Sequence, residues 1–105
     1  MFTINGENWN IEFVPSDSEM LRRYNGEYTL GVTVDEYKTI FLADTLYGEK
    51  LKKVLCHEVC HCLIFSMNLY FDLYQEERLA DFIATYAKDI ISISDEIYKR
   101  INEST

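Results

Sequence analysis

The fold is decided by residues 48–68, whose sequence is GEKLKKVLCHEVCHCLIFSMN. Apolar side chains recur in this stretch at spacings of three and four residues, which is the period of one face of an α-helix. The members of this face are Leu51, Val54, Leu55, Val59 and Leu63. The pattern predicts a helix from about Gly48 to Asn68, with this face against a core.

On the N-terminal side, the sequence predicts a β-hairpin. Residues 2–4 and 9–14 are rich in apolar and aromatic side chains. The Asn5-Gly6 pair between them is a strong signal for a tight hairpin turn. In the second predicted strand, three large apolar side chains share one face: Trp9, Ile11 and Phe13.

A short helix is predicted after the hairpin. Pro15 ends the preceding strand. Ser16 and Glu19 have the spacing of a capping box, which predicts a helix near residues 16–24. The Asn-Gly pair that follows is typical of a helix end.

The rest of the chain predicts two more strands and one more long helix. Residues 28–34 and 39–43 are rich in β-branched and aromatic side chains and flank a polar turn. After the central helix, an apolar pattern predicts a last helix from near Gln75 to about Ile101. We expect this helix to break at residues 92–94, which are Ser-Ile-Ser.

The order of these elements indicates an α+β fold. Strands, a short helix, strands and two long helices predict a small antiparallel or mixed sheet packed on the long helices. A chain of 105 residues has room for one core, so we expect a single domain over residues 1–105.

Charge and cysteine content narrow the classes of partner and compartment. A net charge of −8, from 18 acidic and 10 basic residues, disfavours binding to nucleic acid or to an anionic membrane. The sequence has no basic leader and no apolar run of about 18 residues. Its three cysteines lie within residues 56–62, which does not resemble a disulfide framework. We therefore expect a cytoplasmic protein with reduced thiols.

The central helix contains H-E-x-x-H at residues 57–61. Positions four apart lie about 40° apart around a helix, so His57 and His61 point the same way. Two such imidazoles can bind one Zn²⁺ at roughly 2.0–2.1 Å each. Glu58 lies about 100° round from His57, where its carboxylate can take a proton from a water that zinc activates. The motif contains both histidines of the chain.

A catalytic zinc site needs a third protein ligand. The chain has no third histidine and no cysteine before Cys56. Cys56 and Cys60 project away from the direction that the two histidines share. The third ligand should therefore be a carboxylate, and residues 75–82, Gln-Glu-Glu-Arg-Leu-Ala-Asp-Phe, offer Glu76 and Glu77.

H-E-x-x-H followed by E-x-x-x-D on a second helix resembles the gluzincin metallopeptidases. The small size and the run Glu-x-x-Ala-Asp-Phe resemble the minigluzincins and the ImmA/IrrE-like members, often of phage or mobile-element origin. The resemblance covers roughly residues 26–88. It implies a zincin-like domain in which Glu77 is the third zinc ligand and Asp81 accepts a hydrogen bond from a ligand histidine. Glu76 is the rival ligand, although only Glu77 has an aspartate four residues later on the same face.

The resemblance implies further features of a substrate site. Strand 39–43 would be the edge strand that pairs with the substrate backbone. No histidine is left to stabilise an oxyanion, and the tyrosines considered for that role are Tyr70, Tyr74 and Tyr86. We expect Cys56, Cys60 and Cys62 to act as small buried apolar side chains. The alternative is a second, cysteine-rich metal site, although Cys56 and Cys60 share a face without further ligands.

Two hypotheses follow for function. The first is a zinc-dependent endopeptidase that acts on a protein or peptide, such as a regulatory protein, with Glu58 as general base. The alternative is a zinc-binding protein-interaction module of phage or mobile-element origin, with weak or no activity. The intact Glu58 favours the first hypothesis, because a structural zinc needs no base.

Overall fold

A computed structural model describes residues 1–103 of the chain. Its strands and long helices are β1 (Phe2–Ile4), β2 (Glu7–Val14), β3 (Gly31–Val34), β4 (Thr39–Ala43), α1 (Gly48–Ser66) and α2 (Leu73–Glu103). The four strands form one mixed sheet in the order β1-β2-β4-β3. The predicted α+β class, with a small sheet and two long helices, is confirmed.

The N-terminal hairpin forms as the sequence predicts. Strands β1 and β2 are antiparallel, with Phe2 opposite Trp9. Asn5 and Gly6 both have positive φ, 49° and 80°. Two successive residues of positive φ are what a type I′ turn requires, and its twist matches that of the strands. The Asn-Gly pair therefore fixes the register of the hairpin.

The apolar face of β2 is only partly covered. Trp9 is fully buried, and its indole Nε1 donates a hydrogen bond to the Ser66 hydroxyl at the end of α1, at 3.3 Å. Ile11 and Phe13 stay 39% and 52% exposed. Strand alternation predicts which side chains share a face, but it does not predict how far a helix extends over that face.

Strand β4 is central in the sheet. It pairs in parallel with β2 and antiparallel with β3, and all five of its residues are buried. The expectation that residues 39–43 form the edge strand is wrong. The edge strand beside the helices is β3. The uninterrupted apolar run Ile-Phe-Leu-Ala in β4 is typical of a strand that is covered on both faces.

The prediction of a helix near residues 16–24 is wrong in the length of the helix and in the residue that caps it. Only a single 3₁₀ turn forms, Glu19–Leu21, and Ser18 caps it by accepting a hydrogen bond from the Met20 amide at 3.2 Å. Leu21 is the one residue of this turn that is buried. A helix of so few residues needs tertiary packing to form, and one buried side chain provides too little.

Both long helices follow the periodic pattern, but their ends shift by about two residues and one predicted break is absent. Helix α1 ends two residues before the expected Asn68, at Ser66. Helix α2 begins at Leu73 and continues without the predicted break. The Ser94 hydroxyl donates to the Ile90 carbonyl oxygen at 2.7 Å. A serine that bonds one turn back in this way is compatible with an intact helix.

The two helices pack through a small second core. Cys60 and Ile64 of α1 and Ala80 of α2 are buried there. This contact sets α2 across the face of α1 that carries the two histidines. Farther on, residues 88–103 of α2 are all exposed. No helix in the described part of the chain is both long and apolar enough to cross a membrane.

Candidate metal centre

Helix α1 brings the two histidines of the motif together. The Nε2 atoms of His57 and His61 lie 3.2 Å apart. Two donors at 2.0–2.1 Å from one tetrahedral metal ion lie about 3.3 Å from each other. The separation of the two nitrogens therefore fits a shared metal ion.

Helix α2 adds a carboxylate to the same point. Glu77 Oε1 lies 3.0 Å from Nε2 of His61, and Glu77 Oε2 lies 3.2 Å from Nε2 of His57. The ligand atoms of these three residues all lie within 4.8 Å of one another. Within residues 1–103, no other group of three histidine, cysteine or acidic side chains converges in this way. Nitrogen and carboxylate donors are the ligands of catalytic zinc sites.

Each imidazole has a second carboxylate on its other nitrogen. Asp81 Oδ1 lies 2.9 Å from Nδ1 of His57. Glu76 Oε2 lies 2.5 Å from Nδ1 of His61. A proton held on Nδ1 by such a partner leaves the lone pair of Nε2 free for a metal. The two carboxylates therefore favour the tautomer that a metal site needs.

Glu76 has a place that sequence reasoning missed. It was considered only as a rival to Glu77 for the metal. Successive helix residues differ by about 100° around the axis, so these two neighbours reach different atoms of the histidine pair. The Glu76 side chain is only 13% exposed, whereas that of Asp81 is 74% exposed. The roles of Glu77 and Asp81 stay predictions, although both contact the expected histidines.

Glu58 lies beside the cluster. Its Oε2 is 3.9 Å from Nε2 of His57, and the residue is buried, with 6% exposed. Burial raises the pKa of Glu58, partly offset by a hydrogen bond from Thr33 and by the nearby imidazoles. A carboxylate with a raised pKa is a stronger base, as proton abstraction from water requires.

Thr33 of β3 contacts this carboxylate, and no pattern in the sequence predicts that contact. Its Oγ1 lies 2.9 Å from Glu58 Oε1 and 3.1 Å from the Glu58 carbonyl oxygen. Two residues earlier, Gly31 has no room for a side chain: a Cβ there would lie 2.9 Å from Cγ1 of Val54. A glycine inside a strand often marks close approach of another element, and that signal was available in the sequence.

A cleft of about 920 Å³ opens over the candidate metal centre. Its walls come from the segment 21–33, which includes the first three residues of β3, and from the facing sides of α1 and α2. The Leu30 carbonyl accepts a hydrogen bond from the Ala43 amide at 2.9 Å. By the alternation of an antiparallel pair, the backbone groups of Gly31 and Thr33 then face away from β4. The outer edge of β3 therefore lies on the cleft side of the sheet, where the Gly31 carbonyl oxygen accepts a hydrogen bond from the Thr29 hydroxyl at 3.3 Å.

The tyrosines considered for an oxyanion role lie elsewhere. All three are exposed, and within the described residues none lines the cleft: Tyr70, Tyr74 and Tyr86. The tyrosines that do line it are Tyr24 and Tyr28. Spacing along the chain could not predict this, because both belong to a loop whose path depends on the sheet.

The cysteines are free thiols. Cys60 and Cys62 are buried, as expected, and Cys56 is half-buried. Burial raises the pKa of Cys62 to about 12 and also raises that of Cys60. A buried thiol with a raised pKa is a poor metal ligand and a poor nucleophile.

Comparison of the chain with protein-family models, with curated proteins and with solved structures finds no match. The gluzincin resemblance therefore rests on the two motifs and on the proximity of their residues in the fold. Zinc, peptidase activity and a protein or peptide substrate stay predictions at this point.

Proposed function

We propose that this protein is a zinc-dependent metallopeptidase of the gluzincin type. The observation that carries the proposal is the convergence of His57, His61 and Glu77 on one point, with Glu58 beside it. Structural zinc sites use four protein ligands, whereas catalytic sites use three and leave one position open. Three converging donors and an adjacent base support the catalytic class.

Different residues would bind the metal ion, orient its ligands and transfer the proton. His57, His61 and Glu77 would hold the ion, and Asp81 and Glu76 orient the two imidazoles. Bound zinc would supply a Lewis acid for a water molecule and for the carbonyl of the scissile peptide bond. Glu58 takes a proton from the attacking water and delivers it to the leaving amine.

The position of β3 supports a peptide as the substrate. Its outer edge offers the Gly31 amide and the backbone groups of Thr33, while the Gly31 carbonyl oxygen accepts a hydrogen bond from the Thr29 hydroxyl. The same Thr33 contacts Glu58 through its side chain. An extended peptide can add to such an edge through backbone hydrogen bonds. Pairing there would place the peptide along the cleft, next to the base.

The test compares Glu58→Gln with the unsubstituted protein. We expect both to bind one equivalent of zinc, and only the unsubstituted protein to cleave a quenched fluorogenic peptide library. Glu12→Gln is the matched control, because Glu12 is an exposed carboxylate on β2, and this variant should retain full activity. Zinc binding without any cleavage by the unsubstituted protein would instead favour the protein-interaction module.

A further inference from the structure

The cleft is lined by four acidic and three basic side chains, and the two signs belong to different parts of it. Apart from the acids at the metal centre, the charged side chains that line the cleft are Arg22, Arg23 and Lys53. All three are cations in a chain whose acidic residues outnumber its basic ones by 18 to 10. Exposed cations on a cleft wall locally attract negatively charged groups of a ligand.

The fold places these cations close to the reacting groups. Lys53 lies four residues before His57 on α1, so it sits on nearly the same face about 6 Å along the axis. Arg22 and Arg23 begin the loop that leads into β3. A bridge between Arg22 and Tyr28 and a hydrogen bond of 2.7 Å from the Arg23 amide to the Glu27 carbonyl hold this loop.

Two of the three cations are available to a ligand. Arg22 lies 3.6 Å from Glu19 and is partly neutralised by it. In residues 1–103, neither Arg23 nor Lys53 forms an ion pair, and both are exposed. An unpaired cation on a cleft wall can form an ion pair without first losing another one.

The acids of the cleft have partners already. Glu76, Glu77 and Asp81 contact the two histidines, and Glu58 contacts Thr33. They concentrate negative charge at the metal centre. An acidic side chain of a ligand would therefore be repelled there and attracted toward Arg23 and Lys53.

We propose that the cleft selects peptides that carry an acidic side chain close to the scissile bond, through Arg23 and Lys53. The reference to a scissile bond rests on the proposed peptidase function, but the binding preference does not. In an extended peptide on β3, alternate side chains point to the same side, so one or two acidic residues can meet these cations.

The test measures binding in the Glu58→Gln variant loaded with zinc, where no cleavage can remove the probe. The probes are two fluorescein-labelled octapeptides that differ only in carrying two glutamates or two lysines at the same positions. Fluorescence anisotropy should show tighter binding of the glutamate peptide, by roughly tenfold for two exposed ion pairs at low salt. The preference should shrink as salt is raised.

Charge reversal identifies the residues responsible. Arg23→Glu combined with Lys53→Glu should abolish or invert the preference for the glutamate peptide. Lys50→Glu, the same change on α1 outside the cleft lining, should leave it intact. Equal affinity for the two peptides, no binding of either, or a preference that survives the double reversal would overturn the proposal.

Metal analysis and cleavage separate this proposal from the function on which it rests. Zinc binding and cleavage of both peptides at equal rates would overturn the acidic preference and leave the peptidase assignment in place. A charge-dependent preference in a protein that binds no zinc would overturn the peptidase assignment and leave the acidic preference in place. Circular dichroism of each variant confirms that the exposed substitutions leave the fold intact.

Discussion

The carboxylate of Glu76 lies 2.5 Å from Nδ1 of His61, on the side of the ring that faces away from Glu77. Two adjacent glutamates thus hold one histidine from its two nitrogens. The geometry follows from helix α2, on which neighbours differ by about 100° in direction. Two neighbours in the sequence therefore contact different nitrogens of the same ring.

Zinc should bind to the unsubstituted protein in equimolar amount, and His57→Ala or His61→Ala should remove it. Each histidine supplies one of three converging donors, so two remaining donors cannot hold the ion at catalytic-site affinity. Plasma emission spectrometry on protein purified after growth in zinc measures the content. If the unsubstituted protein folded stably and contained no metal, that result would contradict the metallopeptidase proposal.

Glu77→Ala should weaken zinc affinity more than Glu76→Ala. Loss of Glu77 removes a donor, whereas loss of Glu76 removes a partner of a donor, which typically costs about 10–100-fold. Competitive titration with a zinc chelator measures both affinities. Asp89→Ala, an exposed acid on the same helix, serves as the control and should have no effect. An equal or larger loss at Glu76 would show that the ligand is the other glutamate.

How much the sequence predicts depends on how local each feature is. Helix α1 and the Asn5-Gly6 turn depend on neighbouring residues, and both were predicted. The central position of β4 depends on a parallel pairing with β2, more than twenty residues away in sequence, and it was predicted wrongly. The exposure of Ile11 and Phe13 likewise depends on elements that are distant in sequence and pack over β2 only in part.

The candidate site shows the same division. His57, Glu58 and His61 belong to one helix, so their spacing alone placed them together. The pairing of Glu76 with His61 requires the crossing of two helices. The contact of Thr33 with Glu58 joins a strand to a helix through two residues that are 25 positions apart in sequence. No periodic pattern in the sequence predicts such contacts.

Asp81→Ala should reduce zinc affinity, and by less than Glu77→Ala. Asp81 contacts Nδ1 of His57 at 2.9 Å, but its side chain is 74% exposed. Water can replace an exposed acceptor in part, so we expect the lower end of the usual range, about tenfold. The same chelator titration measures it. An affinity equal to that of the unsubstituted protein would mean that Asp81 is only a solvated surface acid.

Gly31→Ala should destabilise the fold, because a Cβ would lie 2.9 Å from Cγ1 of Val54 and 3.1 Å from Cδ2 of Leu42. Overpacking of this kind typically costs about 1–3 kcal/mol. Urea denaturation gives the free energy of unfolding. Val54→Ala removes the closest atom, so Gly31→Ala should cost less in that background. Equal costs in both backgrounds would show that Val54 is not the source of the strain.

Thr33→Val should destabilise the zinc-free protein more at pH 7 than at pH 4. The Thr33 hydroxyl donates to Glu58 Oε1 at 2.9 Å, which stabilises the ionised form of a carboxyl whose pKa burial raises above its usual 4.5. Removal of the hydroxyl raises the pKa of folded Glu58 further, while the pKa in the unfolded chain stays unchanged. Between those two values the folded state binds the extra proton, so stability falls as the pH rises through this window.

The added cost of Thr33→Val is therefore complete above the folded pKa of Glu58 in the variant. It disappears as the pH falls below the folded pKa of Glu58 in the unsubstituted protein, which burial already raises above the unfolded value. Urea denaturation at the two pH values, with a chelator present, measures the difference. Thr33→Ser keeps the hydroxyl and should show no extra loss at pH 7. The Thr33→Val protein leaves all three proposed ligands intact, so it should still take up zinc. A cost that is the same at both pH values would mean that the loss reflects packing alone, and that Thr33 does not hold the charged form of Glu58.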